Sequence, residues 1–130
     1  MSFPIDLFHF YQHALCGTYN EKEDKFSGVH FLDKEAVKIK RYLYINAHYV
    51  IKADVWRYNY ITEKWILKEN TTLFPPFWDE TTLLLKLDSA YRFRFPIQGK
   101  KNQFGAITDC GVKMLFIYIN GKPKTVYPLI

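Results

Sequence analysis

Two histidines, His13 and His30, flank the charged stretch HALCGTYNEKEDKFSGVHF, and 18 lysines and arginines are spread through the 130-residue chain. Imidazole titrates near neutrality. A pair of imidazoles can therefore take a proton from one oxygen and give one to another, while a fixed ammonium stabilises charge that builds up between them. These are the groups that metal-free cleavage of an RNA phosphodiester requires. One removes the 2′-OH proton, one protonates the departing 5′-oxygen, and the cation holds the doubly charged phosphorane. His13, His30 and one of several lysines would supply the set. The same residue types also occur as solvated loop imidazoles or hydrogen-bonded core ones, and on types alone these readings stand side by side. Cys16, three residues after His13, raises a second chemistry, a thiolate nucleophile activated by a histidine. Against it, residues three apart on one helix meet for structural reasons, and no Asn or Asp stands nearby to orient the ring. His9 and His48 have no motif around them and read as structural or solvated. No Walker loop, dinucleotide fingerprint or HExxH is present, and the His and Cys residues lack paired ligand spacing, so no metal and no cofactor is expected.

Elements must carry these groups. After Pro4, IDLFHFYQHAL reads as a short helix with Ile5, Phe8 and Leu15 or nearby residues facing inward, and Gly17 as its stop. TYNEKEDKFS, residues 18–27, shows neither helical nor strand period and reads as an exposed loop. DKEAVKIK, residues 33–40, fits a capped helix or the start of a strand equally. From Tyr42, YLYINAHYVIKADVWRYNYITEKWILKE is dense in β-branched and aromatic residues and reads as two strands joined near YNYITEK. The TTLFPPFW segment breaks that pattern at Pro75 and Pro76. Asp79 then caps ETTLLLKLDSAYRFR, with Leu83, Leu84, Leu87 and Tyr91 on one helical face. PIQGKKNQFGAITDCG reads as a loop, and VKMLFIYI, NGKP and TVYPLI as a closing hairpin. The layout is α+β, one domain over residues 1–130, with antiparallel sheet and helices packed on one face.

Composition narrows the class. A net charge of +5 gives a modest bias toward polyanions, and aromatics at 18% can fill a core or stack on bases. The two cysteines, Cys16 and Cys110, form no CxxC pair and no disulfide framework, which favours a reducing compartment. The start lacks the basic and apolar regions of a signal peptide, and no apolar run approaches the ~20 residues that span a bilayer, so no membrane partner is expected. The aromatics of YLYINAHYVIKADVWRY read as core and sheet surface rather than a platform for bases. The charges of EKEDK read as a solvated face.

Four segments in this order, HALCG with SGVHF, KENTTLFPPFW, the helix with SAY, and INGKPKTVYPLI, resemble the EndoU endoribonuclease family. The layout is most similar to the bacterial EndoU toxin domains at the tips of contact-dependent growth inhibition proteins. The ending also resembles the last hairpin of the coronavirus uridylate-specific endoribonuclease. The resemblance implies the fold shared with barnase, colicin-type nucleases and RelE. It also implies cleavage of RNA 3′ of a uridine, by transesterification, to 2′,3′-cyclic phosphate and 5′-hydroxyl ends.

The resemblance also assigns residues. His13, in H-x-x-x-G with Gly17, is the implied general base, and His30, in G-x-H, the implied general acid. Gly28 would offer its backbone N–H to the phosphate. Lys68, ahead of the Ser/Thr-rich segment, is the implied cation, with Lys64 its rival. Thr72 or Thr71 would read the uracil edge, and Thr125 and Tyr127 of T-x-Y-P would hold the base, the tyrosine by stacking. Two glycines often precede the second histidine in relatives, whereas here the residues are Ser27, Gly28 and Val29. If the chain is a toxin, the resemblance implies tRNA as substrate, a cognate immunity protein as partner, and delivery within a larger secreted protein to a target-cell cytoplasm. The alternative from another class is a non-catalytic RNA- or protein-binding module with the same fold and basic surface.

Overall fold

The computed structural model describes residues 3–130; Met1 and Ser2 lie outside the described residues. In chain order the elements are α1 (Ile5–Cys16), β1 (Thr18–Asn20), β2 (Lys25–Ser27), β3 (Val37–Ile45), β4 (Ile51–Asn59), β5 (Lys64–Leu73), α2 (Glu80–Arg92), β6 (Phe95–Ile97), β7 (Lys100–Ile107), β8 (Lys113–Ile119) and β9 (Lys122–Pro128). All strand pairs are antiparallel, in a β1–β2 hairpin, a β3–β4–β5 sheet and a β6–β7–β8–β9 sheet. The protein is α+β, and both helices share one apolar cluster with the inward residues of the four-stranded sheet.

The first helix turns a different face inward from the expected one. Leu7, Phe10 and Ala14, at spacings of three and four, are fully buried, while Ile5 is 74% and Phe8 41% exposed. The stripe that fixes the helix is therefore set by Phe10, whose ring meets Phe116 at 5.0 Å and Tyr118 at 5.3 Å between centroids, edge to face. Leu15 only borders this cluster. Because His13 lies beside Ala14 on the buried side, packing of Phe10 also directs His13 inward.

Three segments expected as loop or strand differ. Residues 18–27 form the short β1–β2 hairpin, held by a Tyr19–Phe26 ring pair at 5.3 Å and by the Tyr19 hydroxyl donating to Asp24 at 2.6 Å. Three-residue strands are too short to display a period. The expected strand pair is a triple, because the apolar-looking NAHY is a turn. Asn46 Oδ1 accepts from the backbone N–H groups of His48 and Val50, at 2.9 and 3.0 Å, so one amide side chain does what Gly or Pro does elsewhere. PIQGKKNQFGAITDCG is not a loop. Most of it is the β6–β7 hairpin, which turns at Gly99. Residues 33–36 form a turn leading into β3. Asp79 caps α2 as expected, accepting from Thr82 N–H at 2.7 Å, and Leu83, Leu87 and Tyr91 are buried beneath it. The closing hairpin turns on Asn120 and Gly121, both with positive φ, as a tight primed turn requires.

One irregularity decides which side chains of β5 share a face. Between β4 and β5, Ala53 faces Thr71 but Val55 faces Lys68, so β5 carries one residue more than β4 across this span. In a regular strand, residues three apart point to opposite faces; the bulge puts Lys68 and Thr71 on the same one. Asn70, at φ 55°, takes up the extra residue, and its N–H is held by the buried carboxylate of Asp54 at 2.9 Å. Among the described residues, no helix is long and apolar enough to cross a membrane.

Candidate active site

The end of α1, the segment after β2, the bulged part of β5 and the face of β9 meet around one cleft of about 370 Å³. His13, Gly28, His30, Lys68, Thr71, Thr72, Thr125 and Tyr127 all line it. Every residue that the resemblance singled out for a base, an acid, a cation or a base-binding role is therefore in one place, except Lys64. Lys64 opens β5 opposite Asn59, four residues and roughly 13 Å up the strand from Lys68, and does not line the cleft.

The two histidine-bearing segments are stitched together by backbone. The carbonyl of His13 accepts from Gly17 at 2.9 Å and from Val29 at 3.2 Å, and the Ala14 carbonyl accepts from His30 at 2.6 Å. Gly17 leaves the helix at φ 72°, and a Cβ there would run into the Val29 side chain and the Ser27 carbonyl. Gly28, at φ 78°, lies under the His13 ring, where a Cβ would come within 2.5 Å of the His13 carbonyl and 2.7 Å of its Nε2. The H-x-x-x-G and G-x-H spacings thus have a steric cause: two glycines let one imidazole-bearing turn lie against the other. Val29 adopts φ 64°, a left-handed conformation costly for a β-branched residue. Its fully buried side chain and the Thr71 hydroxyl, which donates to its carbonyl at 3.0 Å, hold it there.

Each side chain is held by a neighbour from elsewhere in the chain. His30 Nδ1 lies 2.6 Å from the carbonyl of Thr72; a carbonyl only accepts, so Nδ1 carries the proton and Nε2 keeps the lone pair. The His30 ring lies 5.7 Å from that of Tyr127, tilted by 36°. His13 Nδ1 is 3.1 Å from the Thr18 hydroxyl. Lys68 donates through Nζ to the Gly28 carbonyl, which fixes the ammonium beside both imidazoles. The Thr71 hydroxyl is spent on Val29, which leaves Thr72 as the hydroxyl of the pair in the half-buried lining.

Burial sets the protonation states. It pushes His13 down to about 4, helped by the charges of Lys124 and Lys68. His30 goes lower, to about 3, through burial, then Lys68, with the Thr72 carbonyl opposing and His13 adding a smaller depression. Burial alone brings Lys68 down to about 8, so it remains a cation at neutral pH. The free site holds two neutral imidazoles and a desolvated ammonium, an arrangement that a bound anion completes.

Sequence reasoning missed Lys124, which lines the cleft from β9 and acts electrostatically on His13. Its only signal is its place next to Thr125 in the K-T-V-Y-P ending. Asn70, whose backbone makes the bulge, was missed as well. The Cys16 reading loses its partner, since the His13 ring bonds Thr18, and burial pushes the Cys16 thiol up, away from the thiolate that a nucleophile needs. His48 lies outside the cleft, its ring against Gly111. Among the described residues, no group of three or more His, Cys, Asp or Glu is arranged to hold a metal.

Comparison with curated proteins and with solved structures gives no match. A family model described as bacterial EndoU nuclease matches residues 9–130, a span that holds both histidines, the lysine and the Thr125–Tyr127 face. The chain belongs to the bacterial EndoU nuclease family, and an endonuclease acting on RNA is the activity that this membership carries.

Proposed function

We propose that the protein cleaves RNA on the 3′ side of a uridine without a metal, by transesterification to a 2′,3′-cyclic phosphate and a 5′-hydroxyl. The observation that carries this reading is the convergence of His13, His30 and Lys68 from three separate elements on one cleft, beside Thr125 and Tyr127. Two imidazoles and an ammonium are a complete set for the reaction. His30 Nε2, with its lone pair free, takes the 2′-OH proton; the 2′-oxygen attacks phosphorus; the Lys68 ammonium balances the phosphorane charge; and the P–O5′ bond breaks as His13 gives its proton to the leaving oxygen. The Thr72 carbonyl supports this division, the reverse of the one the resemblance implies: it keeps the His30 proton on Nδ1, so that Nε2 can only accept. Lys124 acts on His13 and not on His30, and a bound phosphodiester offsets that charge and favours a proton on the His13 ring. Tyr127 offers a face to the uracil, and Thr72 and Thr125 offer hydroxyls to its edge.

A labelled oligonucleotide with a single uridine, incubated with chelator present, tests the reading. Cleavage into a cyclic-phosphate fragment is expected, with losses of at least 100-fold in His13→Ala, His30→Ala and Lys68→Ala. Intact RNA with salt-sensitive binding would favour the non-catalytic module instead. A substrate with sulfur in place of the bridging 5′-oxygen needs no acid, because a thiolate leaves unprotonated. It should rescue His13→Ala and not His30→Ala; rescue of His30→Ala would return the roles to the other order. The proposal extends to a toxin domain delivered within a larger secreted protein to a target-cell cytoplasm, with tRNA as substrate and an immunity protein covering the cleft. Discrete fragments from purified total tRNA are the expected sign of that substrate.

A further inference from the structure

A second cavity of about 470 Å³ lies next to the cleft and shares two of its walls, His13 and Lys124. Its other walls include His9 and Gln12 from the exposed side of α1, Thr18 from β1, and Pro123 from β9. Proton transfer by His13 and His30 makes no use of His9, Gln12 or Pro123. His9, Gln12 and His13 form part of one helical stripe, at spacings of three and four, so the cavity runs along α1 away from the uridine side of the cleft. Its size is that of an ordinary ligand pocket, about 300–1,000 Å³.

A scissile phosphodiester has two ester arms, and an endonuclease must give both a path. The arm that carries the uridine runs toward Thr125 and Tyr127. The other arm leaves past the group that protonates the 5′-oxygen, which in the proposed mechanism is His13, and His13 is the wall between the two cavities. We propose that the His9–Gln12 cavity is the binding site for the nucleotide on the 3′ side of the cleaved bond, an inference that rests on the proposed function. Lys124, at the boundary, offers its ammonium to the phosphate backbone. The Gln12 amide both donates and accepts, the His9 ring offers a face and ring nitrogens, and Pro123 offers an apolar surface; together they suit a purine or pyrimidine without strong choice between them. The uridine side reads the base, and this side grips the next nucleotide whatever its base.

The two arms can be separated experimentally. A uridine 3′-(4-nitrophenyl phosphate) presents the uridine arm alone, because its leaving group is an aryloxide; a uridylyl-adenosine dinucleotide presents both. In the double variant His9→Ala, Gln12→Ala, kcat/KM should fall about 10-fold or more on the dinucleotide and stay within twofold on the aryl ester, whose unchanged rate also shows that the fold and the catalytic groups are intact. Equal losses on both substrates, or none on either, would overturn the downstream site. Wild-type protein inert on both would overturn the proposed reaction itself and this inference with it. Wild-type cleavage of both, with the variant indifferent, removes the downstream site alone.

Discussion

Replacing Lys68 with methionine should move stability and activity in opposite directions. Burial alone takes the Lys68 ammonium from its ordinary 10.5 to about 8. At neutral pH it is charged in both the folded and unfolded chain, so holding that charge in the cleft costs about 3 kcal/mol. Methionine fills much the same space without the charge. What it forfeits is the Nζ bond to the Gly28 carbonyl, which as a bond from a charged donor is worth about 2 kcal/mol, so a net gain of about 1 kcal/mol remains. Removing the cation also relieves both histidines, since Lys68 depresses each. For a domain of this size the gain raises Tm by roughly 3–5 °C. Catalysis goes the other way, because removing one preorganised charge stabiliser costs about 10²–10³ in kcat. The sign of the pH dependence is a further check. Folded Lys68 loses its proton at lower pH than the unfolded chain does, so between pH 8 and 10.5 the wild type gains stability and the advantage of Lys68→Met shrinks. Melting curves at pH 7 and 9.5, with oligonucleotide cleavage at pH 7, measure all three. A Met variant less stable than wild type at pH 7, or one that keeps its activity within 10-fold, would refute the reasoning.

Gly28→Ala should cut kcat/KM by 10² or more, because its Cβ would displace the His13 ring, and should lower Tm by several degrees through the positive φ; kinetics and melting on one sample test both. Acid should destabilise the protein. His13 and His30 have folded values below the unfolded one of 6.5, so their contribution is whole above about pH 6.5 and drains away as pH falls toward 4 and 3, by a few kcal/mol in total, and urea midpoints between pH 7 and 4 should fall more steeply in the wild type than in His30→Gln. Asp54→Ala leaves the Asn70 N–H unpaired and frees the bulge, and should lower kcat/KM at least 10-fold, whereas Asp54→Asn keeps an oxygen for that N–H and should recover most of the rate.

The parts of the site that were legible in the sequence are those encoded over short distances. His13 with Gly17, and Gly28 with His30, are local spacings with local steric causes, so a pattern of a few residues carries them. The Asp79 cap and the Asn120–Gly121 turn are legible for the same reason. The parts that were hidden are pairings across the chain. The carbonyl that fixes the His30 tautomer comes from Thr72, 42 residues away, and any residue type could supply it. The β5 bulge depends on an Asp54 carboxylate 16 residues from Asn70, and nothing in KENTTL announces an extra residue. The inward face of α1 was misread because IDLFHFYQHAL has apolar residues on several sides, and only the rings of Phe116 and Tyr118 decide which side wins. Lys124 escaped notice because a lysine on a short strand is ordinary until β9 lies against α1.

That last contact joins the first element of the fold to the final one. His13 sits on α1, while Lys124, Thr125 and Tyr127 sit on β9, and the two elements pack together. A chain under synthesis presents α1 early and β9 after every other element, so the cleft has one side missing until translation has passed Tyr127. An enzyme that cuts RNA is made by a machine built of RNA and supplied by it. The cleft around His13, His30 and Lys68 is therefore completed by the last-made strand of the described fold, and a product that stops short of β9 lacks the wall of Lys124, Thr125 and Tyr127.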